Sequence, residues 1–253
     1  VVEDLRIQLA DGTSVIAEAN AHIGHGERVL IVGESGTGKS TLFRAMAGLW
    51  PWGGGRIVMP PAERVMFMPQ RPYLPLGTLR QALSYPHPPT TYSDAALRDA
   101  LQRMDLARHE DRLDEEARWD QTLSLGEQQR LAFARLLLQQ PAWVFMDEAT
   151  SALDEQKQDA MMEAFIEALP DASLISIGHR PGLEAFHTAK LTLLRGETGA
   201  RLAGKRPARA AGICFRSCHE PTGARSDSIW YRLRRSWKGG ASGFGLVPFA
   251  PSA

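Results

Sequence analysis

Nine consecutive residues, Gly33-Glu34-Ser35-Gly36-Thr37-Gly38-Lys39-Ser40-Thr41, spell the chemistry of this chain most openly. They fit G-x-x-x-x-G-K-[ST], the spacing of a phosphate-binding loop. A triphosphate needs many hydrogen-bond donors in a tight arc. Main-chain N–H groups supply them only where the chain can wrap closely, and Gly33, Gly36 and Gly38 allow that. Lys39 brings a point charge to the outer phosphates, and Ser40 offers a hydroxyl to Mg²⁺. Further along, Asp147 and Glu148 are adjacent carboxylates closing the apolar run Trp143-Val144-Phe145-Met146. Such a pair at a strand end is costly unless used. Asp147 suits a metal and Glu148 a proton taken from an attacking water. His179 ends a second apolar run, Ser173–Ile177, and Gln70 follows a third, Val65–Met68. Neither says much alone.

These groups need elements to hold them. Arg28–Val32 is short, apolar and β-branched, as a buried parallel strand should be. From Lys39 to Ala47, Leu42, Phe43 and Met46 share a helical face, and Gly48 is a natural stop. Strand, glycine loop and helix form the setting a phosphate loop requires. Ser124, with Glu127 three residues on, is a capping-box spelling opening a helix that runs to Pro141. Ser124 either caps that helix or faces a phosphate, because both uses draw on the same unpaired N–H groups. A helix is expected from about Glu155 to Leu169, and the final strand at Leu191–Leu194. Ahead of the loop, Val2–Leu9 and Ser14–Ala19 read as a hairpin around Asp11-Gly12. Trp50–Gly55 reads as a turn-rich link, followed by strands Arg56–Met59 and Val65–Met68. Pro72, Pro75, Pro86, Pro88 and Pro89 break up the stretch that follows, and Ser93-Asp94 then opens a helix whose apolar face is Ala96, Leu97, Ala100, Leu101 and Met104.

The 253 residues allow one sizeable domain with appendages, and 43% hydrophobic with 23% charged residues is ordinary for a globular chain. No run of eighteen or more apolar residues is present, so nothing in the sequence reads as a bilayer span. No signal peptide is visible. The net charge of +0 hides an asymmetry. Ten basic residues face two acidic ones after residue 200, against 19 and 27 before it. The domain is expected over 1–200, and the basic tail 201–253 is expected to be disordered. That tail could bind nucleic acid or anionic lipid, or it could be an out-of-frame extension, the reading we favour. Cys214 and Cys218 are expected as free thiols in a reducing cytosol rather than as a metal half-site. The opening Val-Val-Glu-Asp, without Met, suggests a piece of a longer protein.

Together, GESGTGKST, Gln70, LSLGEQQR, Asp147-Glu148, SALD and the Gly178-His179-Arg180 run resemble, in order and spacing, the ATPase domain of ABC transporters. The likeness covers roughly residues 1–195. It implies an α/β fold: a P-loop NTPase core with a mainly parallel sheet, an N-terminal antiparallel β region and a helical insertion at about 71–140. By the same resemblance Gly33 to Thr41 would cradle ATP, with Ser40, Gln70 and Asp147 toward Mg²⁺. Glu148 would be the catalytic base and His179 a switch at the γ-phosphate. Ser124, Leu125, Gly126 and Glu127 would form a signature turn closing on ATP held by a second copy, with Asp154 as a dimer contact. Partners would be a second copy and a transmembrane domain, at the cytoplasmic face of the inner membrane, with no nucleic acid. Leu125 stands where the usual signature has Gly, and GLWPWGGGRI and MPQRPYLPLGTLRQALSYP are similar to bacterial half-transporters. Those are related to peroxisomal fatty-acyl and peptide-antibiotic uptake transporters. No aromatic in residues 1–25 suits adenine, so loose base selectivity is expected, with either an apolar side chain near Leu9 or another residue against the base. A soluble ABC-type ATPase of DNA repair or translation is the alternative. A non-hydrolysing regulatory binder is disfavoured by intact Lys39, Asp147, Glu148 and His179.

Overall fold

The computed structural model describes residues 1–180, 182–207 and 229–232. In chain order the strands and helices are β1 (Val2–Gln8), β2 (Ser14–Ala21), β3 (Arg28–Gly33), α1 (Lys39–Met46), β4 (Gly53–Met59), β5 (Val65–Met68), β6 (Gly77–Thr78), α2 (Leu79–Ser84), α3 (Asp94–Arg103), β7 (Glu116–Ala117), α4 (Trp119–Thr122), α5 (Leu125–Gln139), β8 (Trp143–Asp147), α6 (Glu155–Ala168), β9 (Ser173–Ile177), β10 (Ala189–Leu194), β11 (Ala200–Pro207) and β12 (Ile229–Arg232).

Ten strands make one sheet, ordered β12-β4-β1-β2-β11-β10-β3-β9-β8-β5. Its working half is parallel: β10 pairs with β3, β3 with β9, β9 with β8, and β8 with β5. The apolar runs here lack alternation because both faces are covered. Ser173–Ile177 is buried at every position. Successive residues point to opposite faces. Leu30, Val144, Met146 and Leu174 therefore pack with the helices α2, α3, α5 and α6, while Val29, Ile31, Phe145 and Ile175 pack with α1 and the antiparallel strands. Phe67 stacks on Phe145, ring centroids 4.8 Å apart, across the β5–β8 pair.

At the far end the strands pair antiparallel around β1, which lies between β2 and β4. Gly53–Gly55, expected as a link, belongs to β4. The reason is tertiary. Asp4 has φ 46° and the β1–β4 register shifts between Glu3 and Arg6, so β1 bulges toward its neighbour. A Cβ at Gly53 would lie 2.0 Å from the Arg6 carbonyl, and one at Gly55 2.4 Å from that of Asp4. Only glycine admits that approach.

Two further elements differ from the sequence expectations. Helix α2 forms inside the proline-rich stretch, with Thr78 and Gln81 making a capping box. The chain does not stop pairing at Leu194. It turns at Gly199 (φ 120°) and returns as β11, antiparallel to β10 and parallel to β2. Of the tail, β12 pairs with the outer edge of β4. Cys214, Cys218 and the rest of the tail lie outside the described residues.

Candidate functional site

Apart from the turn at Ser124, the groups singled out for phosphate, metal or proton chemistry leave the same edge of the parallel half-sheet. The carboxyl ends of β3, β5, β8 and β9 deliver, respectively, the glycine loop, Gln70, Asp147-Glu148 and Gly178-His179. This is where ligands sit in open α/β sheets.

The loop fits a polyphosphate. Helix α1 starts at Gly38 in the left-handed conformation (φ 91°), with no side-chain cap and no acid in its first turn. Its leading N–H groups thus have no side chain competing for them, and its positive dipole end is unopposed. A Cβ at Gly38 would meet Val15 Cγ1 at 2.5 Å, and one at Gly33 would meet the Leu193 carbonyl at 2.7 Å. The loop is packed closely enough, on the Val15 side chain and on the β10 backbone, that neither position admits a Cβ. Lys39 is 8% exposed. Its Nζ donates to the carbonyls of Gly33 (2.8 Å) and Glu34 (2.7 Å). That uses two of its three donors and arches the ammonium over the loop.

Ser40 Oγ donates to Asp147 Oδ1 at 3.3 Å. A hydroxyl and a carboxylate at this spacing suit a hard cation that takes its other ligands from phosphate and water. Among the described residues no cluster of three or more His, Cys, Asp or Glu could hold a metal on its own. Burial pushes the Asp147 carboxyl above the usual range. Its bond to Ser40 opposes that rise, and the neighbouring Glu148 charge adds to it. A cation here would reverse the trend.

Glu148 diverges from its neighbour because its backbone does. It has φ 50°, rare for a non-glycine residue, and its N–H donates to the Ile177 carbonyl at 2.9 Å. Its two carboxylate oxygens meet two different loops. Gln70 Nε2 donates to Oε2 at 3.2 Å, and His179 Nδ1 lies 3.3 Å from Oε1. Gln70, Glu148 and His179 are thus one constellation. The carboxylate is partly open to solvent, as a base that must reach water requires.

The second group is built differently. Ser124 caps α5, its Oγ accepting from Glu127 N, and Glu127 answers to Ser124 N at 3.1 Å. The capping box is therefore real. Ser124 Oγ also donates to Glu127 Oε2 at 2.8 Å. The other Glu127 oxygen faces Arg108 and His109 Nε2, the latter at 3.2 Å. Burial alone would raise the Glu127 carboxyl, but hydrogen bonds from Ser124, His109 and Arg108 outweigh it and hold it at about 2. So Glu127 is held as an ion partner in the wall of a polar cleft, which it lines together with Ser124, Asp105, Arg108, Arg130 and Lys157. Gly126 backs onto the turn after Glu148, since a Cβ there would meet the Ala152 carbonyl at 3.2 Å. Asp154 caps α6 through Lys157 N at 2.8 Å and is otherwise largely exposed.

Sequence reading passed over three contributors. Gln129 is fully buried between loops, Arg195 Nη2 reaches the Ser35 carbonyl at 3.5 Å, and Arg180 donates to the Thr150 carbonyl. For Gln129 a signal existed. It was the run of four polar residues, Glu127 to Arg130, at the head of an apolar helix; only the structure shows that all four are buried and so require partners.

Comparison with known proteins decides the family. The model of the ABC transporter family matches residues 16–151, more than half of the chain. The chain belongs to the ABC transporter ATP-binding family. A Haemophilus influenzae ABC transporter ATP-binding protein is 40% identical over 193 residues, 76% of this chain and 32% of its own. ABC transporter D family member 1 of Arabidopsis thaliana is 36% identical over 214 residues, 80% of this chain and 16% of that protein. The inner membrane ABC transporter ATP-binding protein YddA of Escherichia coli is 34% identical, with 72% and 32% covered. Among solved structures, a bacterial Atm1-family ABC exporter with ATP bound superposes with a TM-score of 0.69 at 25% identity, over 82% of this chain and 38% of that one. The ABC domain described here therefore spans a third or less of the length of these curated relatives. The α/β fold with a mainly parallel sheet and antiparallel N-terminal strands, expected from the sequence, is the one observed. Among the described residues no helix is long and apolar enough to cross a membrane.

Proposed function

We propose that this domain binds ATP with Mg²⁺ and hydrolyses it, and that two copies sandwich the nucleotide to drive a membrane transporter. The observation that carries the reading is the convergence of Lys39, Ser40, Gln70, Asp147, Glu148 and His179 at one sheet edge, with Ser124 turned to a separate cleft.

In this reading the loop N–H groups and Lys39 hold the outer phosphates. Ser40 and Asp147 would hold the cation, with Gln70 as a further ligand. Magnesium, when bound, would draw charge from the phosphate oxygens. Glu148 accepts the proton of the attacking water, and His179, 3.3 Å from it, fixes the carboxylate and faces the terminal phosphate. Ser124 of a second copy supplies the donors that one copy lacks, its helix dipole aimed at the phosphates.

A transmembrane partner fits the exposed apolar side chains Leu49, Tyr73, Leu76 and Tyr85, of which Leu76 is 70% exposed. Tyr73 and Tyr85 pack edge to face, ring centroids 5.1 Å apart, on the segment that follows Gln70. The Tyr73–Tyr85 pair with Leu76 in the same segment suits cover by a partner. The location would be the cytoplasmic face of the inner membrane. For the base, Val15 against Gly38 supplies an apolar surface without an aromatic ring, which favours loose base selectivity.

The test is the Glu148→Gln variant. It should keep ATP binding and lose turnover by roughly 10²–10⁴, the usual worth of a positioned base. Unchanged turnover would remove Glu148 from that role.

A further inference from the structure

Gln129 lies in α5, five residues past Ser124, with no exposed surface. Its carboxamide makes three hydrogen bonds, none within its own helix. Nε2 donates to the Gln70 main-chain carbonyl at 2.8 Å and to Ser151 Oγ at 3.2 Å. Oε1 accepts from Ala152 N at 3.0 Å. These partners belong to the two loops leaving β5 and β8, the strands that deliver Gln70 and Glu148.

The same atoms continue into the constellation. Ser151 Oγ also receives Gln70 Nε2 at 3.4 Å, and Gln70 Nε2 reaches Glu148 Oε2. The side chain of Gln128, next door, donates instead to the Asp120 and Leu123 carbonyls that lead into its own helix. The contrast separates a residue that secures α5 from one that ties α5 to the site. The amide orientation follows from its partners, since Ala152 N needs an acceptor and the Gln70 carbonyl a donor. Packing alone would be served as well by methionine, without a buried amide to satisfy.

We infer that Gln129 is a positioning residue for hydrolysis: it locks the helix tip bearing Ser124 to the loops bearing Gln70 and Ser151, so that docking of a second copy on Ser124 aims Gln70 and Glu148. The inference rests on the paired, ATP-hydrolysing reading above. It adds a route by which closure on one side of the domain is felt at the carboxylate on the other. Nothing covalent is asked of Gln129. It conveys the position of one rigid helix to two loops, and interiors packed at crystal density transmit such shifts.

The experiment is a double-mutant cycle of Gln129→Met and Ser151→Ala, read by ATP turnover against ATP concentration. Each single change should lower kcat, Gln129→Met by about 10-fold, with KM moved less than about 3-fold, because aim is lost and nucleotide grip is not. The double variant should fall little further, since both remove the same link. An unchanged kcat for Gln129→Met, a loss confined to thermal stability, or strictly multiplicative effects would overturn the inference. If Gln129→Met does not fold, Gln129→Glu keeps the acceptor and loses the donor, and the same cycle reads the same coupling. A Glu148→Gln protein that fails to pair with ATP would instead remove the paired reading. That outcome is distinct from a Gln129 variant that pairs and turns over normally.

Discussion

The sheet edge at Lys39 and the helix tip at Ser124 both present groups suited to phosphate, yet they are assembled in opposite ways. At the edge, adjacent parallel strands bring four loops to within hydrogen-bond distance in one chain. At the tip, one helix start stands over a polar cleft, its hydroxyl engaged by its own capping partner. The edge gathers a hydroxyl–carboxylate pair suited to a cation, the Glu148 carboxylate and a loop suited to phosphate. The tip holds donors without a reacting group. On the reading proposed above, the difference is a division of labour: one copy would grip and react, and a second copy would complete.

The largest effect that would sharpen this contrast is expected at Lys39. Lys39→Ala should weaken ATP binding roughly 100-fold, the upper worth of a charge-assisted contact to phosphate, when titrated by fluorescence or calorimetry. Ser124→Ala should instead leave ATP affinity of the isolated chain within about 2-fold and lower turnover about 10-fold, because its donor acts only on closure. Equal affinity losses in the two variants would erase the distinction.

Acid should weaken the tip through Glu127. Its carboxyl titrates at about 2 in the fold against an ordinary 4.5. A depressed acid contributes stability that is full above about 4.5 and is lost as pH falls toward 2. Glu127→Gln should therefore flatten the loss of urea stability between pH 6 and pH 3 by on the order of 1–2 kcal/mol, screening by solvent at the exposed Arg108 included. The smallest effect concerns the base. GTP should be hydrolysed within about 5-fold of ATP, as an apolar contact near Val15 discriminates little between purines. A strict ATP preference would point to a base contact beyond Val15.

How much could be read beforehand follows from where each constraint lives. The glycine loop was legible because phosphate chemistry dictates its spelling residue by residue. The strands β3, β8 and β9 were legible because burial on both faces leaves unbroken apolar runs. Gly53–Gly55 was misread because the need for glycine comes from a bulge in β1 some fifty residues earlier. Helix α2 was missed because the surrounding prolines suggested breakage, whereas Thr78 and Gln81 cap a helix of six residues between them. Strand β11 was missed because its sequence, beginning Ala-Arg-Leu-Ala-Gly, alternates weakly and draws its order from pairing on both sides with β10 and β2. Gln129 went unread because periodicity treats a polar residue in an apolar helix as a solvent face. Here α5 is buried from Glu127 to Leu136 on every side.

Whether one copy grips and another completes can be asked of a single sample. Purified Glu148→Gln protein, given ATP and Mg²⁺, should sediment as a dimer holding two nucleotides. The same protein without nucleotide, or carrying Ser124→Arg in addition, should sediment as a monomer. A Glu148→Gln protein that retains ATP while remaining monomeric at tens of micromolar would contradict the account.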